Sequence, residues 1–242
     1  GSGQAPIGFD EKLGGSIPLN ASFTAEDGRK LVLGDLVTRP TIFVIAYYRC
    51  KSECNSLMVG MAHALRDLSG EPGKDWQVIS VSVNPDEIPK DAQDKQAMAL
   101  ASIEKPFPRD AWPFLTGDKA NIDLLVDAVG MDYRKNGEDY DHPLGAIVVS
   151  PKGVIVRYMY GVDFLPVDLS MSVMEASAGL VRPTVAKMLR FCMSYDPNSR
   201  RFGFNVLRIS GIVITIVVGG FVLYLTLSGG RKRRPEGKGG ER

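Results

Sequence analysis

The fold is decided by the stretch Thr41-Ile42-Phe43-Val44-Ile45-Ala46-Tyr47-Tyr48, which is followed directly by Arg49-Cys50-Lys51-Ser52-Glu53-Cys54. The first eight residues are apolar and rich in β-branched and aromatic types, which predicts a central, buried strand. Apolar residues then recur at helical spacing, which predicts a helix from Glu53 to Leu68; they are Leu57, Met61, Ala64, Leu65 and Leu68. The two cysteines therefore lie where a buried strand turns into a helix.

The spacing of Cys50 and Cys54 limits their chemistry. A helix beginning near Lys51 or Ser52 places the two thiols about one turn apart on the same side. Because a helix N-terminus favours the thiolate, we expect lowered thiol pKa values. The pair is compatible with a structural disulfide, a redox couple or two ligands of a soft metal, and the three intervening residues favour the metal without excluding the disulfide.

The chain contains only two histidines, and an imidazole is a suitable further ligand for a soft metal. His63 lies about half a rotation from the cysteines on the predicted helix, which indicates a surface or packing residue. His142 belongs to Asp139-Tyr140-Asp141-His142-Pro143, a predicted polar loop immediately before a strand at Gly145–Ser150. Since ligands gather where loops meet at the strand ends of α/β sheets, His142 is the candidate third ligand, with an ordinary loop histidine as the alternative.

Together these residues resemble the Sco/SenC family of copper-binding, thioredoxin-like proteins. The resemblance runs from about Gly14 to Gly179. It rests on the cysteine pair, the Asp141-His142 step, the strand ending Ser150-Pro151-Lys152-Gly153, the hairpin Phe23-Thr24-Ala25-Glu26-Asp27-Gly28 leading to Leu31-Val32-Leu33, and the strand Trp76–Val83 with its loop Asn84-Pro85-Asp86-Glu87. It implies an α/β thioredoxin-like fold and copper bound by Cys50, Cys54 and His142. The chain departs from the family in lacking prolines around the cysteine pair and in having Asn84-Pro85-Asp86 where Asp-Pro-Glu-Arg-Asp is common.

The remaining predicted helices and strands are typical of an α/β protein. Further helices are predicted at Asp91–Glu104, Asn121–Val129 and Asp168–Ala178, and a further strand at Val154–Tyr160. Four methionines at helical spacing are assigned to packing rather than to metal binding; they are Met58, Met61, Met171 and Met174.

Composition limits the function classes. The chain has 242 residues, 44% hydrophobic and 24% charged, which is enough for a full α/β core. The net charge is +1, and residues 231–242 carry six basic and two acidic residues, so the rest of the chain comes to +1 minus +4, or −3. This mildly acidic charge on residues 1–230 argues against nucleic-acid binding. The sequence contains no phosphate loop and no Gly-x-Ser-x-Gly turn, so nucleotide and serine-hydrolase functions have no support.

A second strong signal is an apolar run near the end of the chain. Ile209–Leu227 is nineteen residues without a charge, ~28 Å long as a helix, which predicts a single transmembrane helix. Three basic residues precede the run within fifteen positions and six follow it, which predicts a cytoplasmic C-terminus and an extracytoplasmic, periplasmic head anchored in the cell (inner) membrane.

These signals divide the chain into five parts. Residues 1–13 are an N-terminal extension or cloning scar, 14–180 the thioredoxin-like domain, 181–208 a juxtamembrane linker, 209–227 the transmembrane helix and 228–242 a basic cytoplasmic tail. The linker is predicted to be an amphipathic interfacial segment or a simple helical connection. It contains Cys192, a buried or lipid-facing thiol in the simplest interpretation.

Three functional hypotheses follow. The resemblance implies a copper metallochaperone that assists assembly of the copper centre of a cytochrome c oxidase, with the copper-bearing subunit of that oxidase, or another respiratory membrane complex, as partner. The first alternative is a thiol-disulfide reductase that uses Cys50 and Cys54 on oxidase-subunit cysteines and does not need His142. The second is a fixed accessory subunit of a respiratory membrane complex.

Overall fold

The computed structural model describes residues 7–50, 53–137, 139–181, 193–196, 201–204, 217–221 and 223–224. The chain divides into two units, Gly1–Thr184 and Val185–Arg242.

The first unit is a mixed α/β domain, as predicted. Its strands are β1 (Ser22–Ala25), β2 (Lys30–Val32), β3 (Thr41–Ala46), β4 (Gln77–Ser82), β5 (Phe114–Thr116), β6 (Arg134–Asn136), β7 (Asp139–Asp141), β8 (Gly145–Val149) and β9 (Ile155–Tyr160). Its helices are α1 (Leu33–Leu36), α2 (Glu53–Arg66), α3 (Pro89–Ala101), α4 (Lys119–Ala128) and α5 (Pro166–Ala178), with a 3-10 turn at Arg109–Ala111.

Seven of the described strands form one sheet in the order β2-β1-β5-β4-β3-β8-β9. β3 lies near its middle, parallel to β4 and antiparallel to β8. All six residues of β3 and all six of β4 are buried. Strands covered on both faces need a continuous apolar run rather than alternation, which is why the apolar stretch at 41–46 becomes a central strand.

The antiparallel pairing of β3 with β8 determines where the site lies. Phe43 pairs with Ile147, so the chain leaves β3 beside the point where it enters β8. The cysteines follow β3 and His142 precedes β8, so all three residues lie at the same end of these two neighbouring strands. A turn follows β3, in which the Cys50 amide donates to the Tyr47 carbonyl at 3.3 Å, and α2 is described from Glu53 onward.

The helix α2 contains a glycine because another segment approaches it closely. A Cβ at Gly60 would lie 1.7 Å from the Val162 carbonyl oxygen, in the loop that leads into α5. Only a residue without a side chain permits this approach, although glycine weakens a helix interior by about 1 kcal/mol relative to alanine.

The predicted element ends differ from the structure in two informative places. β3 ends at Ala46 rather than Tyr48, because the amides of Tyr48 and Arg49 bond to the carboxylate of Glu87 instead of a neighbouring strand. The stretch 139–143 was predicted to be a loop, and this is wrong for Asp139–Asp141, which pairs with Arg134–Asn136 as an antiparallel hairpin. Gly137, at φ +65°, supplies the left-handed backbone conformation between the two strands.

The second unit contains a short antiparallel pair, β10 (Met193–Asp196) and β11 (Arg201–Phe204). A helical linker is therefore wrong for these two stretches. Their larger side chains alternate with smaller or polar ones, as in Met193-Ser194-Tyr195 and Phe202-Gly203-Phe204, and period-two alternation favours strands over a helix.

The predicted transmembrane helix lies mostly outside the described residues. Within it, Val217–Phe221 and Leu223–Tyr224 are helical. Over the ranges that the structure describes, no helix combines the length and the apolar character needed to cross a membrane. Residues 182–192, including Cys192, and the basic tail also lie outside the described part.

Candidate metal centre

The structure places His142 against Cys54. The Cys54 sulfur lies 3.0 Å from Nε2 of His142, although the two residues are 88 positions apart in sequence. Cys54 is 3% exposed in the first turn of α2, and His142 is half-buried between β7 and β8. The fold therefore brings His142 into contact with Cys54, one of the two predicted sulfur ligands.

The hydrogen bonds of His142 show which ring nitrogen carries the proton and which one can accept a proton from the thiol. Its Nδ1 lies 3.1 Å from the Pro143 carbonyl oxygen. A carbonyl can only accept, so this contact assigns the ring proton to Nδ1 and leaves the Nε2 lone pair directed at Cys54. Metal-binding histidines commonly donate their second ring N–H to a backbone carbonyl in this way, which fixes the ring orientation.

Cys50 occupies the turn before α2 and is only partly buried, and neither it nor Cys54 is in a disulfide. The Cys50 side chain lies close enough to Cys54 to influence its ionisation. Among the residues that the structure describes, no group of three or more His, Cys, Asp and Glu side chains is arranged to hold a metal ion. The assignment of Cys50, Cys54 and His142 as a common ligand set stays a prediction.

The donor set nevertheless fits a soft metal after a small displacement. With bond lengths typical of zinc, about 2.3 Å to sulfur and about 2.0 Å to nitrogen, two ligands of one tetrahedral ion lie about 3.5 Å apart. The present separation of Cys54 Sγ and His142 Nε2 is 3.0 Å, which is a hydrogen-bond distance. A metal would replace the thiol proton between these two atoms with little rearrangement.

The expectation of a lowered thiol pKa is wrong for Cys54. The pKa of the Cys54 thiol is raised to about 12, chiefly because burial disfavours the charged form. The neighbouring Cys50 acts in the same direction, and a hydrogen bond from the Tyr47 backbone opposes both. The position in the first turn of α2 favours the thiolate, but desolvation outweighs it. In the metal-free protein Cys54 is a thiol that donates to His142, and a metal has to displace its proton.

Glu87 ends the loop Asn84-Pro85-Asp86-Glu87, and nothing in the sequence indicates a role for it at the site. Glu87 is 4% exposed and accepts hydrogen bonds from the backbone amides of Tyr48 at 3.1 Å and Arg49 at 2.6 Å, and from the hydroxyl of Ser82. The pKa of the Glu87 carboxyl is raised, because burial outweighs the opposing effect of these three hydrogen bonds. The carboxylate thus fixes the two residues that precede Cys50.

Lys95, on α3, was also missed. It is 7% exposed, and its Nζ donates to the Cys50 carbonyl at 3.0 Å and to Oδ1 of Asn55 at 2.7 Å. Burial lowers the pKa of Lys95, and negative charge on Cys54 and Cys50 acts in the opposite direction. A lysine within a helix gave no sequence signal, because most lysines there face solvent.

Aromatic contacts attach the β6–β7 hairpin to the cysteine turn. The rings of Tyr140 and Tyr47 lie 5.6 Å apart between centroids, and Tyr140 stacks on Tyr133 at 6.1 Å. Tyr140 stands two residues before His142, so these contacts position the backbone that carries the imidazole.

The other candidates from the sequence divide into two groups. His63 is exposed, which confirms a surface residue, and Met58 and Met61 are fully buried, which confirms packing. The packing assignment is wrong for Met171 and Met174, which are 44% and 70% exposed, because their side of α5 faces away from the sheet.

The fold and the thiol–imidazole contact define a thioredoxin-like α/β protein with a candidate soft-metal centre. The family model for SCO1/SenC matches residues 15–168, well over half of the chain. The chain therefore belongs to the SCO1/SenC family. No curated protein sequence matches it significantly.

Solved structures share the fold. A protein from Aquifex aeolicus VF5 is 24% identical with a TM-score of 0.63, covering 69% of this chain and 95% of that one. Arabidopsis thaliana ScoI, solved with copper bound, is 19% identical with a TM-score of 0.55, covering 69% and 99%. BsSco, described as a member of the Sco family of cytochrome c oxidase assembly proteins with a disulfide switch, is 22% identical with a TM-score of 0.51, covering 72% and 98%.

Proposed function

We propose that this chain is a copper(I)-binding metallochaperone that assists assembly of the copper centre of a cytochrome c oxidase, with Cys50, Cys54 and His142 as copper ligands. The observation that carries the proposal is the 3.0 Å contact between the Cys54 sulfur and His142 Nε2. Membership of the SCO1/SenC family and the copper-bound structure of Arabidopsis thaliana ScoI support copper as the ion. Two sulfurs and one neutral imidazole are ligands that suit copper(I).

The residues of this chain have separable tasks in such a site. Cys50, partly buried, is the sulfur that an incoming partner reaches first, whereas Cys54 is buried. Closing the pair into a disulfide removes two electrons and two protons, which a disulfide of the partner accepts to become two thiols. A disulfide sulfur carries no thiolate charge, so closure and copper retention exclude each other.

The test is copper(I) titration of the full chain with thiols reduced. The wild-type chain is expected to bind one equivalent, and Cys50→Ala and Cys54→Ala to lose it. His142→Ala should bind copper more weakly, since both thiolates remain. His63→Ala is the matched control, because it removes the exposed histidine, and should behave as wild type. Unchanged affinity in either cysteine variant would refute the ligand set.

A thiol-disulfide reductase is the second candidate, and the unequal burial of the two thiols favours it. An accessible Cys50 and a buried Cys54 are the arrangement expected of an attacking and a resolving thiol. The two functions separate at His142, which copper binding requires and thiol exchange does not. Equal copper affinity with and without His142, together with turnover of a disulfide substrate, would favour the reductase.

We also propose that Ile209–Leu227 anchors the protein in the inner membrane with the head in the periplasm, on the charge asymmetry of the sequence. Protease added to cells stripped of their outer barrier should remove the head. A protected head and a cleaved tail at 231–242 would reverse this orientation.

A further inference from the structure

A buried cation stands beside the candidate metal centre. Lys95 is 7% exposed, and its ammonium donates to the Cys50 carbonyl and the Asn55 side chain. Together with Cys50 and Asn55 it lines a cleft of about 280 Å³ that opens next to the cysteine turn. Over the part of the chain that the structure describes, the positive charge is held at the site by these two hydrogen bonds, and no ion pair to it is present.

Stability alone does not explain a lysine in this position. Removing an ammonium from water is costly, and two hydrogen bonds to neutral oxygens return only part of that cost. An apolar side chain of similar length would fill the same space against α2. The position of the buried Lys95 ammonium beside Cys50 and Cys54 is better explained by an effect on the ion that these sulfurs bind.

The ligand types do not by themselves select copper(I). Cysteine sulfur and histidine nitrogen are also common ligands of zinc, which is divalent. A fixed positive charge discriminates between the two ions, because its repulsion of a bound cation grows with the charge of that cation. Its attraction to the two thiolates is the same for either metal and cancels in the comparison.

We propose that Lys95 sets the charge preference of the Cys50–Cys54–His142 centre, so that the site favours a monovalent cuprous ion over divalent ions such as zinc. This inference rests on the proposed function and deepens it. Among the described residues, the other charges that border the turn or its cleft include Glu87, Asp94 and the Arg49–Asp91 ion pair, and they are unchanged when Lys95 alone is replaced.

The experiment measures copper(I) and zinc(II) affinities of the full chain, with thiols reduced, by competition with a chelator for each metal. The variants are Lys95→Met, which keeps the length, Lys95→Gln, which keeps a hydrogen-bond donor, and Lys95→Arg, which keeps the charge. Lys90→Met is the matched control, since Lys90 lies on the same helix, is exposed and pairs with Asp94.

The ratio of copper(I) to zinc(II) affinity should fall by about tenfold or more in Lys95→Met and Lys95→Gln, because the charge lies within a poorly solvated site. It should stay near the wild-type value in Lys95→Arg and Lys90→Met. A simple loss of support for the turn would weaken both metals alike and leave the ratio unchanged, which would overturn the inference while the proposed function stands. A wild-type chain that binds no copper(I) would instead overturn the proposed function, and this inference with it.

Discussion

The two sides of the candidate centre are held by different forces. The cysteine turn is fixed by charged side chains of low exposure, with Glu87 binding the amides before Cys50 and Lys95 binding the carbonyl of Cys50. The histidine side is a hairpin of two three-residue strands whose residues are mostly exposed, attached through the rings of Tyr140 and Tyr47. Segments with few buried contacts open locally at lower free energy. The difference indicates that the cysteine turn is held rigidly, whereas the hairpin that carries His142 opens more easily.

The largest expected effect concerns the cysteine side. Glu87→Ala leaves the buried amide of Tyr48 and the partly buried amide of Arg49 without their acceptor. We expect a loss of about 3 kcal/mol in the free energy of unfolding, measured by urea denaturation. Glu87→Gln, which retains a carbonyl oxygen, should lose less. Glu71→Ala, at an exposed ion pair with Lys74, is the control and should change stability little. A loss in Glu87→Ala no larger than in the control would remove the distinction between the two sides.

The second effect uses pH to test the burial of Cys54. Its folded-state pKa of about 12 lies above the value of 9.0 for an unperturbed thiol. A raised pKa stabilises the fold below the unfolded value, and this stabilisation is lost as the pH rises from 9 towards 12. Between pH 9 and pH 10.5 the wild type should therefore lose roughly 1.6 kcal/mol more stability than Cys54→Ala. Parallel pH profiles for the two proteins, both metal-free, would show that Cys54 is not a buried thiol.

The smallest effect concerns the histidine side. Tyr140→Ala removes the ring contacts with Tyr47 and Tyr133, and we expect a loss of about 1 kcal/mol in stability. Copper(I) affinity should fall about tenfold, as when a group that orients a ligand is removed.

Two comparisons decide whether Tyr140 acts through His142. In the background of His142→Ala, the Tyr140→Ala change should leave copper affinity as it is, because the ligand that it positions is already gone. Tyr160→Ala, which removes an exposed ring packed on Phe9, is the control and should retain wild-type affinity. Additive losses in the double variant would mean that Tyr140 supports the sulfurs as well.

Much of this fold follows from local pattern. The apolar run before Cys50 predicts the central strand, because a strand covered on both faces has to be apolar throughout. His142 could be selected because it directly precedes a strand, and strand ends of α/β sheets meet at one edge.

The parts that sequence reasoning missed depend on contacts between distant segments. Glu87 meets the Arg49 amide across 38 positions, and Lys95 meets Cys50 across 45. Neither residue type nor spacing signals that these charges are buried. The pKa of Cys54 was misjudged for the same reason, since the helix N-terminus is visible in the sequence but the packing that desolvates the thiol is not.

The separation of 88 positions between Cys54 and His142 also has a consequence for biosynthesis. As the chain emerges from the ribosome, both thiols appear long before the imidazole and before the strand that carries it to them. A nascent chain that ends before His142 offers an incoming ion only the sulfurs. The contact between the Cys54 sulfur and His142 thus forms only when β8 joins the sheet, so a chain that ends before β8 cannot make it.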